Sequence, residues 1–130
     1  MFRLVKVLNS NNQCEVSRLK VASAANFGPG CALTCSSGSL SSAAVAMMPD
    51  YISMVGSNDA EDGKIDAMFV TEDMVFKVEF TGTTAPYPGM TVGLSTKKQK
   101  MDSVTHSTTG KGMIIDVDDN PNLVYVRFRR

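Results

Sequence analysis

Tryptophan is absent from this 130-residue chain, and histidine occurs once, as His106. A lone imidazole leaves little that changes charge near neutral pH, so general acid–base catalysis has few groups to work with. Cysteine occurs three times, an odd and small count that does not make a disulfide framework. Neither sign of charge is in excess, with 13 Lys and Arg against 13 Asp and Glu. A nucleic-acid-binding domain normally carries a strong positive surplus, so DNA and RNA are not expected partners. No apolar run approaches the roughly 18 residues that a spanning helix needs, and no membrane partner is expected. The opening Met1–Leu8 alternates and runs into Asn and Ser, unlike the continuous apolar stretch of a signal peptide.

What is present is the material of one β-rich globular domain, expected to span residues 1–130. Hydrophobic residues make up 43% of the chain and charged residues 20%, a balance that supports a packed core. The charges are unevenly spread. Asp50–Glu79 holds eight acids and two bases, while Arg3, Lys6, Arg18 and Lys20 lie near the start and Arg127, Arg129 and Arg130 close the chain. Basic ends and an acidic middle are either ordinary solvated faces or complementary patches between neighbouring copies.

Short runs with alternating or apolar patterning, separated by Gly, Pro, Asn, Asp and Ser, predict an all-β fold. The expected architecture is a small sandwich or barrel of short antiparallel strands. Met1–Leu8 reads as an N-terminal strand with both faces mainly apolar, either covered on both sides or lying against a partner. Asn9–Gln13 reads as a turn. Cys14–Ala22 alternates without declaring a burial face, and Cys31–Cys35 is a short apolar strand. Residues 41–48 are ambiguous: Ser41, Ser42, Ala43, Ala44 and Ala46 suit a short helix, whereas Val45, Met47 and Pro49 permit a strand.

The firmest strand signal is Ile65–Val70 and Met74–Phe80, joined by Thr71–Asp73. In the second run Met74, Phe76, Val78 and Phe80 share one face. Met90–Ser95 and Met101–Thr105 are further strands around a basic turn. Lys111–Val117 and Leu123–Arg129 form a hairpin across Asp118–Asn122. Residues Pro29–Ser37 can be laid on Pro88–Thr96, matching Pro, Gly and one Ser, and each is followed by a polar turn and a second strand. This predicts a duplicated hairpin.

Each constellation that could carry chemistry has a structural alternative that accounts for it. Cys31 and Cys35 face one side of a strand but lack the remaining ligands of a zinc site and read as small core residues. His106 has Asp102, Ser103 and Ser107 close in sequence, which does not supply the geometry of a triad. Thr109-Gly110-Lys111-Gly112 lacks the upstream Gly and downstream Ser or Thr of a phosphate loop. Asp116–Asn120 clusters carboxylates, but Pro121 and Arg127 stand where a calcium loop needs Gly and Glu. No catalytic residue, cofactor or metal is expected, and the chain is not expected to be an enzyme. Most of the nine Met read as gap-fillers of a small β core.

The second half carries a resemblance. Residues Asp62–Glu79 give a strand, an acidic turn and an apolar–aromatic strand. Pro88–Ser95, a polar hairpin, and the closing Gly112–Asp116 and Val124–Phe128 follow. Over Asp62–Arg130, with a weaker echo at Gly28–Ser42, this resembles the small β head decoration, or cement, proteins of tailed bacteriophages. The opening Met1–Gln13 does not resemble the long flexible arm of some of those proteins. The resemblance implies a structural virion protein, made in the host cytoplasm. It would bind the outer surface of an assembled capsid, with the major capsid protein as partner and often as a trimer. The expected contacts are Phe2, Arg3 and Leu4 on the apolar N-terminal strand, and Arg127, Arg129 and Arg130 at the basic end. Alternatives are another virion component, of tail or connector, and a small-ligand-binding β-barrel with an apolar pocket.

Overall fold

A computed structural model describes residues 1–8, 14–96 and 102–130 of the chain. The described residues are all-β. The first strand, β1 (Arg3–Val7), is followed by β2 (Val16–Val21), β3 (Ala32–Ser36), β4 (Ser39–Ser42), β5 (Tyr51–Ser53) and β6 (Lys64–Phe69). Then come β7 (Met74–Phe80), β8 (Thr91–Leu94), β9 (Ser103–His106), β10 (Gly112–Val117) and β11 (Leu123–Phe128). The turn expected at 9–13 and, apart from Thr96, the basic turn expected at Thr96–Lys100 lie outside the described residues.

The strands close into two barrels of the same topology. In the first, the circuit runs β2-β4-β3-β5-β6 and returns to β2. In the second, β7-β11-β10-β8-β9 closes when β9 pairs with β7. Each barrel has one parallel pairing, between its first and third strands, and the registers correspond. Lys20 opposite Ser39 recurs as Glu79 opposite Ser103, and Leu19 opposite Ile65 recurs as Val78 opposite Val124. Tyr51 opposite Phe69 recurs as Gly112 opposite Phe128. The expected duplicated hairpin, β3–β4 and β8–β9, is thus one part of a whole-barrel repeat. Its entry is the same twice: Gly30 and Gly89 follow prolines with φ of 71° and 93°, a left-handed conformation that glycine adopts without steric cost.

Sequence-adjacent strands are not always neighbours. β6 and β7 belong to different barrels, and Thr71–Asp73 between them is the joint of the molecule. Residues 41–48 are not a helix. β4 ends at Ser42, and a turn follows in which the Met47 N–H donates to the Ala44 carbonyl. Among the described residues the helical geometry is a single 3-10 turn at Ser57–Asp59.

Strand alternation sends side chains to two apolar cores. Phe27, Cys31, Leu33, Leu40, Ile65 and Ala67 fill the first barrel, with Leu19 and Val21 against them. The larger core fills the second barrel with Phe76, Val92, Leu94, Val126 and Phe128, and extends outward to Ala32, Ala43, Met48 and Ile52 of the first. One continuous core therefore spans the joint. A backbone bond crosses it as well, from the Leu94 N–H to the Val45 carbonyl at 3.1 Å.

β1 does not belong to either circuit. It lies antiparallel on β7, with Arg3 opposite Lys77 and Val7 opposite Met74, and a bulge at Val5. The Phe2 N–H donates to the Gly30 carbonyl at 2.9 Å, which ties the strand to the first barrel too. Phe2 is only 3% exposed and its ring meets Phe76 edge-on at 6.1 Å and Phe128 at 5.7 Å. The expectation that Phe2 contacts a partner is therefore corrected: its ring is core. Alternation around the bulge leaves Arg3, Val5 and Lys6 outward. Phe2→Ala is expected to cost about 3–5 kcal/mol of unfolding free energy, the range for a large buried aromatic. Val5→Ala should change it by less than about 0.5 kcal/mol, as for an exposed site. Urea unfolding of the two variants checks both.

Candidate functional site

The residues expected as contacts lie on and beside β1 and at the chain end. β1 is the terminal strand of its sheet, paired with β7 on one side. Val5 is 50% exposed at its bulge, flanked by outward Arg3 and Lys6, with Met1 and Leu8 exposed at the two ends. Leu4, expected to be a contact, is half-buried and packs against the large core. Beside β1 runs an open groove of about 540 Å³ between Lys6, Val75, Asp116, Asp118 and Tyr125. Two of its lining side chains engage Lys77, whose Nζ lies 3.7 Å from Asp118 Oδ1 and 5.7 Å from the centre of the Tyr125 ring. The Tyr125 hydroxyl donates to the same carboxylate oxygen at 3.3 Å. Half-exposed pairs of this kind contribute on the order of 1 kcal/mol or less, so they shape the groove more than they stabilise the fold.

The basic end divides. The Arg127 guanidinium donates through Nε and Nη2 to the Glu72 carbonyl at 3.1 and 2.9 Å, and the Arg130 N–H donates to the Glu72 carboxylate at 2.8 Å. Arg127 thus clamps the end of β11 onto the joint between the barrels and is engaged within its own chain. Arg129 and Arg130 present exposed side chains. The acidic middle is partly satisfied within the chain too, since Arg18 reaches Glu61 at 3.3 Å and Asp66 at 3.4 Å.

The motifs weighed for chemistry resolve into turns and core. His106 ends β9 in the second barrel, and Cys31 enters β3 in the first. Ser107 Oγ accepts the Gly110 N–H at 3.0 Å, so the stretch resembling a phosphate loop is a turn opening β10. Gly110 is needed there because a Cβ would stand 2.1 Å from the Val92 carbonyl oxygen. The carboxylates of the 116–120 tip also serve the backbone: Asp116 accepts the Val117 N–H at 2.9 Å and Asp118 the Asn120 N–H at 3.4 Å. Among the described residues, no three His, Cys, Asp or Glu converge as a metal site, and no helix is long and apolar enough to cross a membrane.

Cys31 and Cys35 both pack with the first barrel's core, as their spacing on one face implies, and Cys14 is exposed. Burial pushes the Cys31 thiol up from 9.0 to about 11, outweighing a side-chain hydrogen bond with Ser42 that acts the other way. No protein-family model matches the chain, and no curated protein matches it.

The raised thiol has a pH signature. The folded state holds the Cys31 proton more tightly than the unfolded chain, so its contribution to stability is complete below pH 9 and is lost as pH rises towards about 11. Two units correspond to a loss of about 2–3 kcal/mol. Cys31→Ala should flatten the fall in stability over that window relative to the parent. Urea titrations of both proteins from pH 8 to 11 would measure it.

Proposed function

We propose that this chain is a structural virion protein, a head decoration protein that binds the outer surface of an assembled tailed-phage capsid and stabilises contacts between major capsid subunits. The observation that carries the reading is the terminal strand β1, with Val5 half exposed between Arg3 and Lys6 and its outer side unpaired among the described residues. An exposed strand of this kind is a surface for pairing with another chain. Arg129 and Arg130 extend the basic character of that contact set, while Phe2 and Arg127 serve the fold behind it. The sequence resemblance over Asp62–Arg130 supports the same class of protein. The shared core supports it as well, because a fastener that spans a joint between subunits must resist separation of its own two parts.

Such a protein acts by mass action. It binds the assembled lattice and not the free subunits, so its binding energy adds to that of the shell, and many weak sites sum over one particle. Charge at the rim sets partner choice and salt dependence more than affinity. On this reading the protein works on the capsid exterior, and a trimer suits a local three-fold position. Purified protein mixed with intact and empty capsids at graded salt should co-sediment saturably, at a copy number near that of the major capsid protein or one trimer per local three-fold, and should raise the temperature of shell disruption. Val5→Asp or Arg129→Glu with Arg130→Glu should weaken retention about tenfold, as for loss of one well-placed contact. Absence of retention at every salt concentration overturns the proposal, and a fixed six or twelve copies per particle replaces it with a connector or tail component.

A further inference from the structure

The β10–β11 hairpin carries opposite charges at its two ends. Gly112 pairs with Phe128, so Lys111 and Arg129 oppose each other one step further on, where the Arg129 N–H donates to the Lys111 carbonyl at 2.8 Å. Both side chains are exposed and, by alternation from the buried Phe128, Arg129 lies on the outer face of the hairpin with Tyr125. Like charges directly opposed on neighbouring strands are unfavourable. Neither cation has an ion-pair partner among the described residues, in contrast to Arg18 and Lys77. Glu72, which lines a groove with Arg129, accepts the Arg130 N–H instead.

At the other end Asp116, Asp118 and Asp119 line the groove beside β1, together with Val5, Ile115 and Tyr125. Asp118 is engaged by Lys77 and Tyr125. Asp116 and Asp119 are exposed and no cation pairs with them among the described residues, although Lys6 shares the lining. Each strand of the hairpin is 6 residues long, which puts the two ends about 20 Å apart. A single molecule therefore cannot bring its own Arg129 to its own Asp119.

The geometry points to a contact between copies of this chain, in which Lys111 and Arg129 of one copy enter the groove at Asp116 and Asp119 of the next. An arginine suits the mixed lining, because its aliphatic stem covers apolar surface while its planar fork gives two N–H donors to a carboxylate. Val5, 50% exposed, and Ile115 offer the stem its surface, and the two free carboxylates receive the charge. The contact relieves the opposed cations at one end and the clustered acids at the other. Each copy carries both halves, so the contact repeats until the circuit closes. Closure at three copies is the form that suits the decoration reading, but the contact itself does not rest on that reading.

Sedimentation equilibrium of the full-length protein tests it. At about 50 mM salt the parent should self-associate with a Kd below about 1 mM, and about 500 mM salt should weaken this about tenfold, because exposed charges are then screened. Lys111→Glu with Arg129→Glu should weaken association about tenfold, and so should Asp116→Lys with Asp119→Lys. Equimolar mixing of the two variants should restore it, since each then meets the opposite charge. Arg129→Glu and Asp119→Lys alone give the same reading, with a smaller loss, if a double variant fails to fold. Self-association is measured without capsids, so it can fail while capsid retention holds, and the reverse. The inference is overturned by a monomer at every concentration up to about 1 mM, by association that the reversals leave unchanged, or by a mixture that stays as weak as its components.

Discussion

The larger apolar core does two jobs at once, and the architecture depends on that. Phe76, Val92, Leu94, Val126 and Phe128 fill the second barrel, while Ala32, Ala43, Met48 and Ile52 reach the same cluster from the outer face of the first. A five-stranded circuit of three- to six-residue strands buries little on its own, as the six-residue core of the first barrel illustrates. Sharing one core lets two small barrels reach the burial of one larger domain. Phe2 and Val7 complete that core from β1, which makes the N-terminal strand part of the fold rather than an arm.

That constraint also explains where side chains with chemical potential went. Cys31 is held in the first barrel with its thiol kept protonated by burial, and His106 sits at an exposed strand end in the second. At the β10–β11 tip Asp116 and Asp118 each accept a backbone N–H, and Asp118 also engages Lys77 and Tyr125. The barrel interiors are filled by aliphatic and aromatic side chains, and the concave features are grooves along strands.

Much of this was legible in the sequence. The alternation of Met74–Phe80, the hairpin across Asp118–Asn122 and the Pro-Gly entry shared by Pro29 and Pro88 report local rules of period two and turn chemistry, which tertiary packing did not override. The repeat was visible only at its hairpin, because β2 and β7 match in alternation and not in residue type, as Ser17 at the position equivalent to Phe76 shows. Residues 41–48 were ambiguous because alanines favour a helix in isolation, while here Ala43 is buried in the shared core behind a strand. Phe2 misled for a related reason. A strand apolar on both faces is ambiguous between core and interface, and the bulge at Val5 divides β1 between the two. That no described strand pairs with the outer edge of β2 at Val16 and Arg18 has no local signal. It emerges only when the two barrels are compared strand by strand.

The central claim is that one barrel unit is used twice on a common core, with β1 seated on one copy and no described strand at the equivalent edge of the other. Residue-resolved native-state amide exchange of the full-length protein tests it most directly. The account predicts that Val75 and Lys77 exchange only through global unfolding, at the same opening free energy as central amides of β6 and β11, while Val16 and Arg18 exchange orders of magnitude faster. Equal protection of Val16 and Val75, or separate opening free energies for β6 and β11, would contradict it.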